Sequence, residues 1–223
     1  MSNVLSHSAR SSAWPTLPPF VGMVYSNCMP ESESKVEQNE FSKAWRRSFG
    51  MSPPLGYVLR YDYFQNWTRF HSLPNSKRLA KSDEEFGILL ERANTLAAEC
   101  FEKQTPIWIA TGRLSEIALN DDDLPIRMNM SKVMDWIDED EAPAYQQEWS
   151  FFASRAEWTR SSLDWLFREI AEDRERAVLF SEDAQTVFAP YDGGFDIISL
   201  QPGKITQLEN TYSSWMSSRP DQL

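Results

Sequence analysis

The sequence predicts an α+β fold: a largely antiparallel sheet covered by helices on one face, ending in a three-strand meander plus a helix. Three observations carry this expectation. Short apolar runs at Ala177 to Asp183, Thr186 to Asp192 and Phe195 to Leu200 stand close together, and a helical pattern follows from about Pro202 to Ser217. Between the second and third runs lies Asp192-Gly193-Gly194, a hairpin signal, because glycine reaches positive φ without a side-chain clash. Elsewhere strands and helices mix without the β-α-β alternation of a doubly wound sheet.

Each element has a local cause. Residues 1–40 are rich in Ser, Pro and Glu, with Pro15, Pro18, Pro19 and Pro30 spaced through them. Proline withholds a donor, so an irregular segment is expected here, leaving 41–223 as a single α+β domain. A short helix over Phe41 to Phe49 is stopped by Gly50 and Pro53-Pro54. Two aromatic strands are expected at Tyr57 to Tyr63 and Trp67 to Leu73, from their alternation and β-propensity. Ser82 and Glu85 read as a capping box. Phe86, Leu89, Leu90, Ala93, Leu96, Ala97, Cys100 and Phe101 then form one helical stripe. Pro106 ends that helix and a strand begins at Ile107. Residues 120–146 carry the least pattern, and Trp149 to Trp158 reads as a strand. A second amphipathic helix runs from about Thr159 to Arg174, with Leu163, Leu166, Phe167 and Ile170 on one face. The final helix buries Ile205, Leu208, Tyr212, Trp215 and Met216 by the same spacing.

Composition narrows the partners. A net charge of −11 opposes binding nucleic acid through its phosphates, which needs clustered Lys and Arg. It favours solubility and the attraction of a basic protein. Nine tryptophans supply large buried areas, for the core first and for an interface second. Cys28 and Cys100 lack metal-ligand spacing, and Cys100 falls on the apolar helix face, so a reducing compartment is expected. The N-terminus has no continuous apolar run and no stretch long enough to cross a bilayer. The expectation is a soluble cytoplasmic protein with no membrane contact.

The densest polar constellation is Trp67-Thr68-Arg69-Phe70-His71-Ser72-Leu73-Pro74-Asn75-Ser76-Lys77-Arg78. It places Arg69 and His71 on one strand face and delivers Ser76, Lys77 and Arg78 just before a capped helix. Cations there would hold a small anionic ligand, a phosphate or a carboxylate. His71 is the natural acid–base candidate. A strand histidine or arginine more often closes a structural hydrogen-bond network, which is the favoured account of Arg69 and His71, and no nucleophile accompanies the histidine. Tyr191, Asp192, Gly193, Gly194 and Asp196 form the second constellation, read as turn and structural residues. A catalytic or metal-binding pair from Asp192 and Asp196 lacks a histidine at ligand spacing. Asp121-Asp122-Asp123 lacks the pattern of a calcium loop. No Gly-rich phosphate loop, Gly-x-Ser-x-Gly elbow, His-Glu-x-x-His or Cys-x-x-Cys is present, so no cofactor and no metal is expected.

The motif Trp67-x-Arg69-Phe70-His71-Ser72-Leu73-Pro74-x-Ser76-Lys77-Arg78 resembles the signature of an uncharacterised, mainly bacterial domain-of-unknown-function family. The likeness continues through Leu90-Glu91-Arg92-x-Asn94 and Pro190-Tyr191-Asp192-Gly193-Gly194-x-Asp196 to Tyr212-x-x-Trp215. It covers about Tyr57 to Leu223, leaving the N-terminal forty residues outside, and one departure is Ile197-Ile198-Ser199-Leu200, a variant apolar strand. The resemblance implies a domain extent and a mostly bacterial setting, with no mechanism attached.

Two functions follow. One is a non-catalytic protein-interaction domain, immunity-like or regulatory, in which the acidic residues near 121–123 and at Asp138, Glu139, Asp140 and Glu141 face a basic protein such as a nuclease toxin. The other is a small-molecule-binding domain or enzyme acting on an anionic substrate through Arg69, His71, Lys77 and Arg78. They differ in geometry: the second requires these side chains to converge on one open pocket.

Overall fold

The computed structural model describes residues 31–101, 105–138 and 146–217. Seven strands form one antiparallel sheet: β1 (Trp67–His71), β2 (Pro106–Leu114), β3 (Ser131–Ile137), β4 (Glu148–Glu157), β5 (Val178–Ser181), β6 (Thr186–Tyr191) and β7 (Gly194–Ser199). Their order is β1-β7-β6-β5-β2-β4-β3, so the C-terminal meander occupies the middle and β1 and β3 are the edges. The α+β class and the meander with its helix are as the sequence predicts.

The helices are α1 (Glu31–Phe49), α2 (Gly56–Asp62), α3 (Asp83–Cys100), the short α4 (Leu124–Arg127), α5 (Asp164–Ala171) and α6 (Lys204–Thr211). They cover both faces of the sheet, where the sequence suggested one. On the first face, Leu89, Ala93 and Leu96 of α3, Phe167 and Ile170 of α5 and Leu208 of α6 pack on Ile109, Leu179, Phe188 and Ile197. On the second, Phe41, Trp45 and Phe49 of α1 and Leu59 of α2 pack on Trp108, Phe180, Val187 and Ile198. Alternation explains this: Ile107 and Ile109 point to one face of β2, Trp108 and Ala110 to the other, and both sets are apolar. A strand apolar on both sides needs a cover on both sides.

Several boundaries moved for physical reasons. The helix expected over Phe41 to Phe49 begins at Glu31, inside the segment read as irregular; residues 1–30 lie outside the described residues. The expected strand at Tyr57 to Tyr63 is α2. Its aromatics alternate, but Leu55, Leu59 and Tyr63 also recur every four residues. That face turns inward, while Tyr57 and Tyr61 stay exposed. Gly56 permits this packing, since a Cβ there would come within 2.9 Å of the Ala189 Cβ on β6. The later amphipathic helix starts only at Asp164, after a turn in which Ser161 takes φ 67°. The last helix stops at Thr211 and continues as a single tight turn, Ser213–Trp215.

The capping of α3 is half as expected. The Ser82 hydroxyl accepts from the Glu85 amide at 3.3 Å, but the Glu85 carboxylate returns to the Lys81 amide (2.7 Å), not to that of Ser82. Trp45, Trp108 and Trp158 are buried as core residues, with Trp45 and Phe180 meeting edge-to-face at 5.1 Å. No described helix is long and apolar enough to cross a membrane.

Candidate functional site

Antiparallel pairing of β1 with β7 puts Arg69 directly opposite Asp196. Their side chains form a two-pronged ion pair, Nε to Oδ1 at 2.7 Å and Nη2 to Oδ2 at 2.8 Å. The Arg69 guanidinium also lies over the Tyr191 ring, 4.6 Å from its centre, and 5.5 Å from that of Trp67. Burial works against the charge on Arg69, but Asp196 outweighs it and raises the guanidinium's affinity for its proton. Burial pushes the Tyr191 phenol up to about 12, against the opposing pull of Arg69. Next along, Arg78 binds Asp192 through Nε at 2.7 Å. The two sequence constellations, over a hundred residues apart in the chain, thus meet through paired salt links.

The hairpin between β6 and β7 is where expected, but its glycines act differently. Among the described residues, Gly50 and Gly203 are the glycines with positive φ; Gly193 and Gly194 are not among them. They are needed for space. A Cβ on Gly194 would sit 2.2 Å from the Phe70 carbonyl oxygen, and one on Gly193 would lie 3.0 Å from the Tyr191 ring.

Arg69, Arg78, Tyr191, Asp192 and Asp196 line one open cavity of about 320 Å³ on the second face of the sheet. Its other walls are Leu55, Gly56 and Tyr57 at the start of α2, and Asp173, Glu175 and Arg176 after α5. Gly112, Trp149, Val178 and Ala189 contribute sheet positions. The remaining members of the predicted set do not line it. His71 sits at the end of β1 opposite Gly194, its carbonyl accepting from Arg92 at 2.8 Å and its Nε2 buried without a hydrogen-bond partner. Burial, with Arg69 and Arg92 nearby, lowers its pKa. Ser76 is exposed in a turn where it and Asn75 take positive φ, and Lys77 pairs with Glu85 on α3. Asp192 and Asp196 are occupied by different arginines, so they are no carboxylate dyad.

A second concavity escaped the sequence reading apart from Asp138. It is a groove of about 760 Å³ between the loop and helix spanning Met51 to Asp62 and the β3–β4 hairpin. Asp62, Asp135, Asp138 and Glu148 line it together with Met51, Val58, Trp136 and Ile137, and among the described residues no Lys or Arg does. Asp62 accepts from the Ser52 hydroxyl at 2.5 Å. Burial tends to raise the Asp135 pKa, but hydrogen bonds from Lys132 and Ser150 lower it overall. Glu139, Asp140 and Glu141 lie outside the described residues. Among the described residues, no three His, Cys, Asp or Glu are grouped to hold a metal ion.

Fold and site together define a three-layer α+β fold in which the two polar constellations are clasped by arginine–carboxylate pairs. The chain belongs to the Domain of unknown function (DUF3885) family, which matches residues 55–220. That span holds every described strand, the cavity and most of the groove, and excludes α1. Comparison with curated proteins finds no match, and neither does comparison with solved structures.

Proposed function

We propose that this protein is a non-catalytic interaction domain, immunity-like or regulatory, that docks a basic segment of a cytoplasmic partner protein in the acidic groove. The observation that supports this reading is the pattern of charge. Four carboxylates, one of them (Asp135) already paired with Lys132, face one groove whose lining contains no Lys or Arg among the described residues, and they are not grouped there as a metal site. Spread carboxylates suit several separate cationic groups better than one ion. Trp136, Met51 and Val58 offer apolar surface to the aliphatic stems of lysine or arginine while the charged ends reach the carboxylates. The net charge of −11 would draw such a partner in over a longer range and speed the encounter.

The test is binding of a fluorescent Lys/Arg-rich peptide, followed by anisotropy at low and high salt, to the native chain and to an Asp62→Asn/Asp138→Asn/Glu148→Gln variant. The reading requires saturable, salt-sensitive binding that weakens at least about tenfold in the variant. Equal binding by the two proteins would refute it. The catalytic alternative is less well supported, because His71 lies off the cavity and, among the described residues, no His, Cys, Ser, Thr or Lys lines it.

A further inference from the structure

We propose that the partner joins the sheet as an added strand: an extended basic segment pairing with the outer edge of β3 at Asp135 and Ile137. This inference rests on the groove reading above and names how the segment is held. β3 is an edge strand, and its register with β4 sets Asp135 opposite Ser150, Trp136 opposite Trp149 and Ile137 opposite Glu148. In an antiparallel pair, successive residues turn their N–H and C=O alternately toward the neighbour and away from it. The Asp138 amide donates to the Gln147 carbonyl, and the Glu148 carbonyl accepts from Ser115 on the β2 side at 2.8 Å. Counting back from Asp138, Trp136 bonds toward β4, while Asp135 and Ile137 turn their backbone groups outward. Among the described residues, nothing hydrogen-bonds to those outward groups.

The two halves of this edge differ. Before Asp135 it is closed: the register slips between Lys132 and Met134, and the Val133 carbonyl accepts from the Ser42 hydroxyl of α1 at 2.9 Å. A bulge and a covering helix are ordinary ways of blunting an edge. From Asp135 to Ile137 neither is found among the described residues, and this open half is the one that lines the groove. The Ile137 side chain is 42% exposed there.

Side chains alternate along β3, so Asp135 and Ile137 share one face while Trp136 packs toward the second core. A segment laid along this edge would set a cation beside Asp135 and an apolar side chain beside Ile137. The residue between them would face the Trp136 side, where the stem of a Lys or Arg covers the indole. Lys132 already holds Asp135 at 2.7 Å, but the two side chains are 50% and 65% exposed, so exchanging that partner costs little. A second copy of this chain fits poorly. Edge-to-edge pairing would bring Asp135, Asp138 and Glu148 of both copies to one seam, like charge against like.

The experiment uses the full chain, isotope-labelled for NMR, and the fluorescent peptide Val-Lys-Arg-Lys-Val, whose pattern reads alike in both directions. Two further peptides carry N-methyl groups on the Val and Arg residues or on both Lys residues. Each removes the donors from one edge of the peptide and keeps every charge. On saturation the Asp135 and Ile137 amides should exchange with solvent about tenfold more slowly or better, while that of Trp136 is unchanged. One methylated peptide, not both, should lose about tenfold or more in affinity. Ile137→Pro removes an outward donor where an edge tolerates proline, and should weaken binding more than Ile137→Ala. Suppose instead that binding is salt-sensitive and lost in the Asp62→Asn/Asp138→Asn/Glu148→Gln variant, yet exchange at Asp135 and Ile137 is unchanged and both methylated peptides bind fully. That result would overturn strand addition and leave the groove reading standing. No saturable binding of any peptide would overturn both.

Discussion

Arg69 and Asp196 face each other across the β1–β7 pairing and share two hydrogen bonds of 2.7 and 2.8 Å, with both side chains nearly closed to solvent. The pair pins the edge strand to the C-terminal meander. It also forms one wall of the cavity.

Breaking this pair from one side leaves a buried charge uncompensated. Asp196→Ala should cost about 3–5 kcal/mol of stability, and Arg69→Met a comparable amount. The double variant should be far less destabilised than the sum of the two. Urea unfolding of all four proteins checks this, and additive single effects would contradict the geometry.

His71 gives a pH signature. Burial and the neighbouring Arg69 and Arg92 hold its folded-state pKa below the ordinary value, so the folded protein disfavours the imidazolium. The unfolded chain therefore takes up its proton first as pH falls. Stability from this residue is intact above about pH 6.5 and declines below it, down through the folded-state pKa. His71→Gln should remove that slope in unfolding curves recorded between neutral and mildly acidic pH. An unchanged slope would show that another group is responsible.

Gly194 has no room for a side chain. Gly194→Ala would bring a Cβ to 2.2 Å from the Phe70 backbone oxygen, forcing β1 and β7 apart. The expected cost is about 3 kcal/mol or more, at the upper end for overpacking. Gly87→Ala is the control, because nothing lies within 4 Å of its added Cβ. That change, in the middle of α3, should stabilise by about 0.5–1 kcal/mol.

Cys100 should be chemically silent. Burial pushes its thiol up to about 12, so almost no thiolate forms at mildly alkaline pH. In a Cys28→Ser protein, titration with a thiol reagent should give no reaction until denaturant is added. Prompt reaction in the native state would mean that α3 opens readily.

The aromatic core predicts a large effect from Trp45. It is fully buried between Phe41, Phe49 and Phe180. Trp45→Ala should cost about 3–5 kcal/mol in urea unfolding. Helix α1 lies outside the family span, so a small effect would mean that the shared domain is stable without it.

Much of the architecture follows from local pattern. The meander was legible because alternation, turn residues and spacing agree over a short stretch. The long α3 was legible because its apolar stripe repeats over five turns behind a serine cap. Tyr57 to Tyr63 was misread because alternating aromatics satisfy strand and helix periods alike over seven residues. Only contact with Ala189 and Phe49 decides between them. The two-sided helical cover was hidden for a related reason: a strand apolar on both faces does not say which helix will cover which.

The sequence by itself determined the class of fold, the C-terminal meander and which segments carry the conspicuous polar residues, because these depend on neighbours a few positions apart. The tertiary structure decided that Arg69 meets Asp196 and Arg78 meets Asp192, and that His71 stays outside their cavity. It also gathered Asp62, Asp135, Asp138 and Glu148 around one groove. Those outcomes rest on strand register and on the packing of distant helices. Pairings of that kind are set by the free energy of the whole assembled sheet and leave no local trace in the chain.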